Sequence, residues 1–319
     1  MNAIGHESAS DDLGKTVDPR LAKLEAAWEI AWQDLQAEQM ESEGRWTGRL
    51  STSALSTATA VSALVVSNRA SAVQPDQVPQ VQAAIAGGCE WLREHQNDDG
   101  GFGDTDRSHS NISTSLLVLA AWELAGYTTA AQEQAGKAWE YVERCGKWEG
   151  LRKRYGKDKT FVVPILSNCA LAGFVPWEQV AALPFEAAWL PQQWYRLASL
   201  PVVSYAIPAL VAIGQARFHF APPRNPLLRT IRGRARQPTL RVLRKMQPAS
   251  GGYLEAVPLT SFVLMNLAAV GNGQQTVAQE CLRFILDSRL EDGSWTIDTN
   301  LATWVTSLSI CSLARSSDS

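Results

Sequence analysis

The 319 residues predict an all-α fold: an α/α toroid in which inner helices are ringed by outer ones. Three observations predict it. A turn of fixed composition recurs along the chain, two kinds of helical segment alternate around it, and strand signals are scarce. The turn places polar, acidic or glycine residues before an aromatic, then runs through a short polar loop into an apolar stretch. It reads "HQNDDGGFGD" from His95, "MQPASGGYLE" from Met246 and "SRLEDGSW" from Ser288. An earlier form ends at Trp46, and a degenerate one, "YVERCGKWEG", ends at Gly150. The closing aromatics Trp46, Phe102, Trp148, Tyr253 and Trp295 are spaced by 56, 46, 105 and 42 residues. The long gap is two units, so the repeat is about fifty residues.

Taken in order, residues 1–20 read as a disordered polar tail, with neither the basic start nor the apolar stretch of a secretory signal. Residues 21–319 read as one barrel domain. Before each turn lies an amphipathic helix. Val81, Ala84, Ile85, Gly88 and Leu92 share one face of the first. Ala278, Cys281, Leu282 and Ile285 share a face of another, opposite Gln279, Glu280, Arg283 and Asp287. After each turn comes a segment apolar or small nearly all round, as in 113–125 and 260–269. A helix with one polar face surrounds, and a helix with none is enclosed. Gln96 and Gln247 precede their turns and can bond backbone groups left open at helix ends, with the aromatics Phe102, Tyr253, Trp295 and Trp46 packed beneath. These are structural positions. At the last turn Arg289 stands where the glutamine is expected. The five cysteines are scattered singly and read as free thiols.

The glutamine-containing turn closed by glycine and an aromatic resembles the repeat of the squalene-hopene and oxidosqualene cyclases, the class II triterpene cyclases. "WEIAWQDLQAEQMESEGRWTGRLSTSALSTATAVSAL" is similar to that family's first repeat and the helix after it. "KTFVVPILSNCALAGFVPWEQVAALPFEAAWLPQQWYRL", from Lys159, is similar to the family's Pro-Trp-Glu segment, and the turns at Tyr253 and Trp295 resemble two later repeats. The resemblance runs from Leu21 to the end and corresponds to the family's amino-terminal half.

It implies cation-driven cyclisation of squalene or another polyprenoid, with no cofactor and no metal. It also implies peripheral, monotopic attachment to the cytoplasmic side of a membrane. Glu255, Pro258 and Phe262 fall where the family lines its cavity, and Trp304 falls where the family has a cavity tryptophan whose π face can stabilise a carbocation. The family's Asp-x-Asp-Asp acid does not occur among the 319 residues. A second barrel or subunit carrying that acid is therefore an expected partner. The alternatives are a non-catalytic isoprenoid-binding protein and a protein prenyltransferase-like barrel. The nearest paired carboxylates, Asp104 and Asp106, have two readings: sharing a proton, or capping the helix near Asn111 while facing water.

The net charge of −3 hides an asymmetry. Between Ala187 and Leu254 there is no acid, and nine arginines with Lys245 give +10. Such a block marks an anionic partner. The resemblance places the family's membrane-facing region here, with Arg229, Arg232 and Arg234 as contacts and Leu227, Leu228 and Ile231 entering the interface. Prolines at 201 and 208 argue against a spanning helix. Nucleic acid is not expected, since no recognition module accompanies the arginines. A zinc site is not expected either, because the four histidines stand apart and no Asp-x-Cys occurs.

Overall fold

The computed structural model describes residues 19–40, 43–48, 50–156, 159–190 and 206–316. Most of the expected tail lies outside them, and Pro19 already opens a helix. The described residues form twelve α-helices and short 3₁₀ turns, with no strand longer than an isolated bridge. They group into two compact units, one within 50–299 and the other made of the described residues of the two flanks, 19–48 and 300–316.

The larger unit alternates enclosed and surrounding helices. Its inner helices are α2 (Ala54–Arg69), α4 (Ile112–Ala125), α7 (Lys159–Leu171), α8 (Ile207–Phe220) and α10 (Val257–Ala269). To name the outer ones in the same chain order, α3 is Val78–Glu94, α5 is Gln132–Arg144, α6 is Lys147–Tyr155, α9 is Pro226–Met246 and α11 is Thr276–Asp287. In the flanking unit, α1 is Pro19–Ala37 and α12 is Ala302–Ser316.

Helix α2 packs on α4, α4 on α7, α7 on α8, α8 on α10 and α10 back on α2, which closes a ring of five. Around it α3 packs on α2, α5 on α4, α6 on α7, α9 on α8 and α11 on α10. Nearly every residue of α2, α4 and α10 is buried, as expected for helices apolar all round. Small residues such as Ala58, Ala60, Ser62 and Ala63 let these helices approach closely. The outer helices bury one stripe only, for example Val277, Ala278, Cys281, Leu282 and Ile285 on α11.

The recurring turn is a joint between neighbouring outer helices. Gln96 Nε2 donates to Gly100 O within its own turn and to Gln134 O in the first turns of α5, both at 2.8 Å. Gln247 Nε2 does the same to Gly251 O and to Val277 O of α11, both at 3.0 Å. The turn glycines need left-handed backbone and close approach. At Gly251 (φ +92°) a Cβ would come within 2.5 Å of Glu280 O on α11. The aromatic closes the other end of the joint. Tyr253 Oη donates to Leu243 O at 2.9 Å, and Trp295 Nε1 to Ile285 O at 2.7 Å. Both carbonyls lie in the last turn of the preceding helix, where no intrahelical donor remains. The expectation gave the open helix ends to the glutamine, but the aromatic serves them and the glutamine reaches across to the next outer helix.

Two departures have local causes. At the third joint Arg289 lies against Gly87 of α3, and its Nε finds no partner among the described residues. Trp91 Nε1 holds that corner instead, donating to Asp292 Oδ2 at 3.1 Å. The degenerate copy is not a joint at all. Gly146 (φ 86°) ends α5, and the chain re-enters helix at once, so Trp148 sits in α6 rather than closing a turn.

Candidate end-face site of the inner ring

The helices α2, α4 and α10 begin on one end of the ring, and the loops entering them are stitched together. Ser53 caps α2, its Oγ accepting from Ser56 N at 3.1 Å, and Asn111 caps α4, its Oδ1 accepting from Thr114 N at 3.0 Å. Asp106 N donates to Thr52 O, Thr52 bridges to Thr296, and Ala256 bridges to Asp298. Thr299 N then donates to Glu255 O at 2.8 Å. Two sequence-selected regions, Asp104–Asp106 and Glu255–Phe262, therefore share this end face.

Their carboxylates are not equivalent. Asp104 Oδ1 accepts from Asn111 Nδ2 at 2.8 Å and Thr114 Oγ1 at 2.6 Å, while its main-chain oxygen accepts from Ser53 Oγ at 2.5 Å. It fastens the α4 cap to the α2 cap. Asp106 projects into solvent. This is the capping arrangement, with no carboxyl placed against an apolar surface. Glu255 is half-buried, its Oε2 accepting from Thr299 Oγ1 at 3.2 Å and its Oε1 from Ser250 Oγ. Leu254 and Glu255 both have left-handed backbone, at φ 56° and 54°. Side chains there cost of order 1–3 kcal/mol each and persist only where surroundings dictate them. Here the bonds from Thr299 and Ser250 hold Glu255, while Leu254 is exposed.

Pro258 lies in the first turn of α10, half-buried, and Phe262 one turn further in is 8% exposed. Trp304 belongs to α12 in the flanking unit and is 69% exposed. Sequence reading passed over Asp298, which follows the last joint in "TIDTN". Its side chain is half-buried, and burial raises its carboxyl above the usual aspartate range. A lone aspartate in a polar loop carries no mark of this in sequence.

The basic window is corrected in part. Its segment Pro226–Met246, with Arg229, Arg232 and Arg234, is a single 21-residue helix, α9. Pro226 occupies its first turn, which proline suits, and Asn225 Oδ1 caps it by accepting from Leu227 N at 2.9 Å. Arg229 and Arg234 are exposed, but Arg232 is 6% exposed and faces inward. Its Nε donates to Glu186 Oε1 at 3.1 Å, and its guanidinium lies 5.8 Å from the centre of the Phe185 ring. Arg232 therefore ties the 3₁₀ turn Phe185–Trp189 to α9 and leaves the set of lipid-facing candidates. The expectation about Pro201 falls outside the described residues, and Pro208 opens α8. Among the described residues no helix is long and apolar enough to cross a membrane, and no three His, Cys, Asp or Glu side chains gather to hold a metal.

A closed ring of enclosed helices inside a sleeve of amphipathic ones, jointed by glutamine and aromatic turns, defines an α/α toroid of the terpene cyclase type. The chain belongs to the squalene-hopene cyclase N-terminal domain family, whose model matches residues 31–213, more than half of its length. A search of curated proteins returns no match.

Proposed function

We propose that this chain is the polyprenoid-binding portion of a class II cyclase, acting in cation-driven cyclisation of squalene or a related polyprenoid. The observation that carries the reading is the family match over 31–213 on a ring whose end face gathers Glu255, Pro258 and Phe262. The initiating proton has a different source. Protonating an alkene requires a carboxylic acid far stronger than a solvated one, and catalytic efficiency follows that matching of pKa. Asp104 is committed to a helix cap, Asp106 is in solvent, and no Asp-x-Asp-Asp occurs in the sequence. We assign the acid to a segment outside these 319 residues, and its docking to α12. That helix has the enclosed-type sequence, yet Trp304, Leu308 and Ile310 are exposed.

The same reading places the protein peripherally on the cytoplasmic face of a membrane. Arg234, Arg241 and Lys245 recur at helical spacing along the outward side of α9, with Leu227 and Ile231 exposed beside them. Basic residues next to apolar ones suit the headgroup region of an anionic leaflet. The test is to titrate purified protein with squalene in detergent, following tryptophan fluorescence and analysing products by gas chromatography. Saturable binding without hopene is expected. Hopene above the no-protein control, or no saturable binding, contradicts the reading.

A further inference from the structure

Ser62 of α2, Ser167 and Asn168 of α7 and Asn266 of α10 are all fully buried. Asn168 Nδ2 donates to Ser62 Oγ at 3.1 Å, and Asn266 Nδ2 approaches Ser167 Oγ at 3.5 Å. Helix α7 packs lightly on α10 but is no ring neighbour of α2, so the Asn168–Ser62 contact crosses the middle of the ring. Asn266 Nδ2 also donates to Phe262 O at 2.8 Å. A carbonyl can only accept, so this bond fixes which way the amide points and turns Oδ1 away. Among the described residues neither Asn266 Oδ1 nor Asn168 Oδ1 receives a hydrogen bond.

We infer that the centre of the five-helix ring is a binding site for an internal water, held between Asn168 Oδ1 and Asn266 Oδ1. A buried acceptor without a donor costs about 1–3 kcal/mol, and both fall in one layer of the ring, since Asn266 reaches Ser167, the residue next to Asn168. Buried waters commonly meet that demand by making two to four bonds to otherwise unpaired groups. The chemistry selects among occupants. A hydrocarbon leaves both oxygens unpaired, and a cation meets only neutral amides and hydroxyls with no carboxylate to offset its desolvation. Water supplies two protons to two acceptors. Asn266 lies one helical turn beyond Phe262 on the same face of α10, so this polar layer forms a floor below Phe262. The ring is thereby closed to a polyprenoid, which is confined to the end face.

The test is a high-resolution crystal structure of the wild-type chain, together with the denaturant midpoint of Asn266→Leu, a change of similar shape. The wild-type map is expected to show a solvent peak within hydrogen-bonding distance of both oxygens. The variant should lose that peak and unfold at lower denaturant. A wild-type map without the peak overturns the inference, and so does a variant midpoint above wild type, the result for an oxygen that was simply unpaired. The wild-type map decides by itself if the variant does not fold.

Discussion

Gln247 and Gln39 carry the same motif into two different settings. In the ring, Gln247 holds its own turn through Gly251 O and the next outer helix through Val277 O. In the flanking unit, Gln39 holds its own turn through Gly44 O at 2.8 Å, and no described residue gives it a second bond. The aromatics repeat the contrast only in part. Trp46 Nε1 donates to Leu35 O at 2.6 Å, as Trp295 does to Ile285 O, and both rings are buried. The helices leading into the two turns diverge. Helix α9 buries Ala235, Thr239, Leu240 and Leu243 against the ring, whereas α1 buries no residue and exposes Leu24, Trp28 and Ile30. The turn is thus a local unit set by its own residues. Burial comes from neighbours, and among the described residues α1 and α12 lack the set that the inner helices of 50–299 have.

The largest effect that can break this comparison is at the tryptophans. Trp295→Ala should destabilise the 50–299 unit by about 3–5 kcal/mol, the usual cost of emptying a large buried aromatic site. Trp304→Ala should change stability by no more than about 0.5 kcal/mol, as for an ordinary surface substitution. Equal shifts in denaturant midpoint contradict the contrast. Within α9, Arg232→Ala leaves the half-buried Glu186 without its partner and should cost about 1–3 kcal/mol. Replacing Arg229, Arg234 and Arg241 together by Gln should leave the midpoint unchanged but reduce co-sedimentation with anionic vesicles at low salt. Undiminished sedimentation of that triple variant removes α9 as the lipid contact. Between the glutamines, Gln247→Ala should lose about 1–2 kcal/mol for two bonds and Gln39→Ala about 0.5–1 kcal/mol for one. A reversed order in the two midpoints breaks the joint model.

The smallest effect is on pH. Burial raises the folded-state pKa of Asp298, so the fold favours the protonated acid. Its contribution is fully present below about pH 3.9, the unfolded value, and is lost as pH rises through the higher folded value. Asp298→Asn should remove that part of the decline in midpoint, and an unchanged pH profile in the variant contradicts the assignment.

Much of the ring was legible because its signal is periodic. The one-faced pattern of Ala278, Cys281, Leu282 and Ile285 specifies an outer helix, and the apolar run 260–269 specifies an inner one. What was not legible depends on residues distant in sequence. Arg232 looks like its neighbours until Glu186, 46 residues earlier, is brought beside it. Trp148 fits the aromatic spacing, but a helix starts directly after Gly146 and leaves no room for the turn. The family resemblance supplied Glu255, Pro258 and Phe262, and the fold places them at one end of α10. Asp298 emerged only when its loop paired with Ala256.

The five-helix ring is complete in itself, whereas α1 and α12 lack neighbours among the described residues. Hydrogen exchange of the intact chain, read by mass spectrometry, tests it most directly, because slow exchange marks amides that open only on global unfolding. Peptides from α2, α4, α7, α8 and α10 should exchange together at the slowest rate, with those from 19–37 and 302–316 exchanging orders of magnitude faster. Protection of 302–316 equal to that of α2 and α10, or five inner helices that exchange at unrelated rates, would contradict the account.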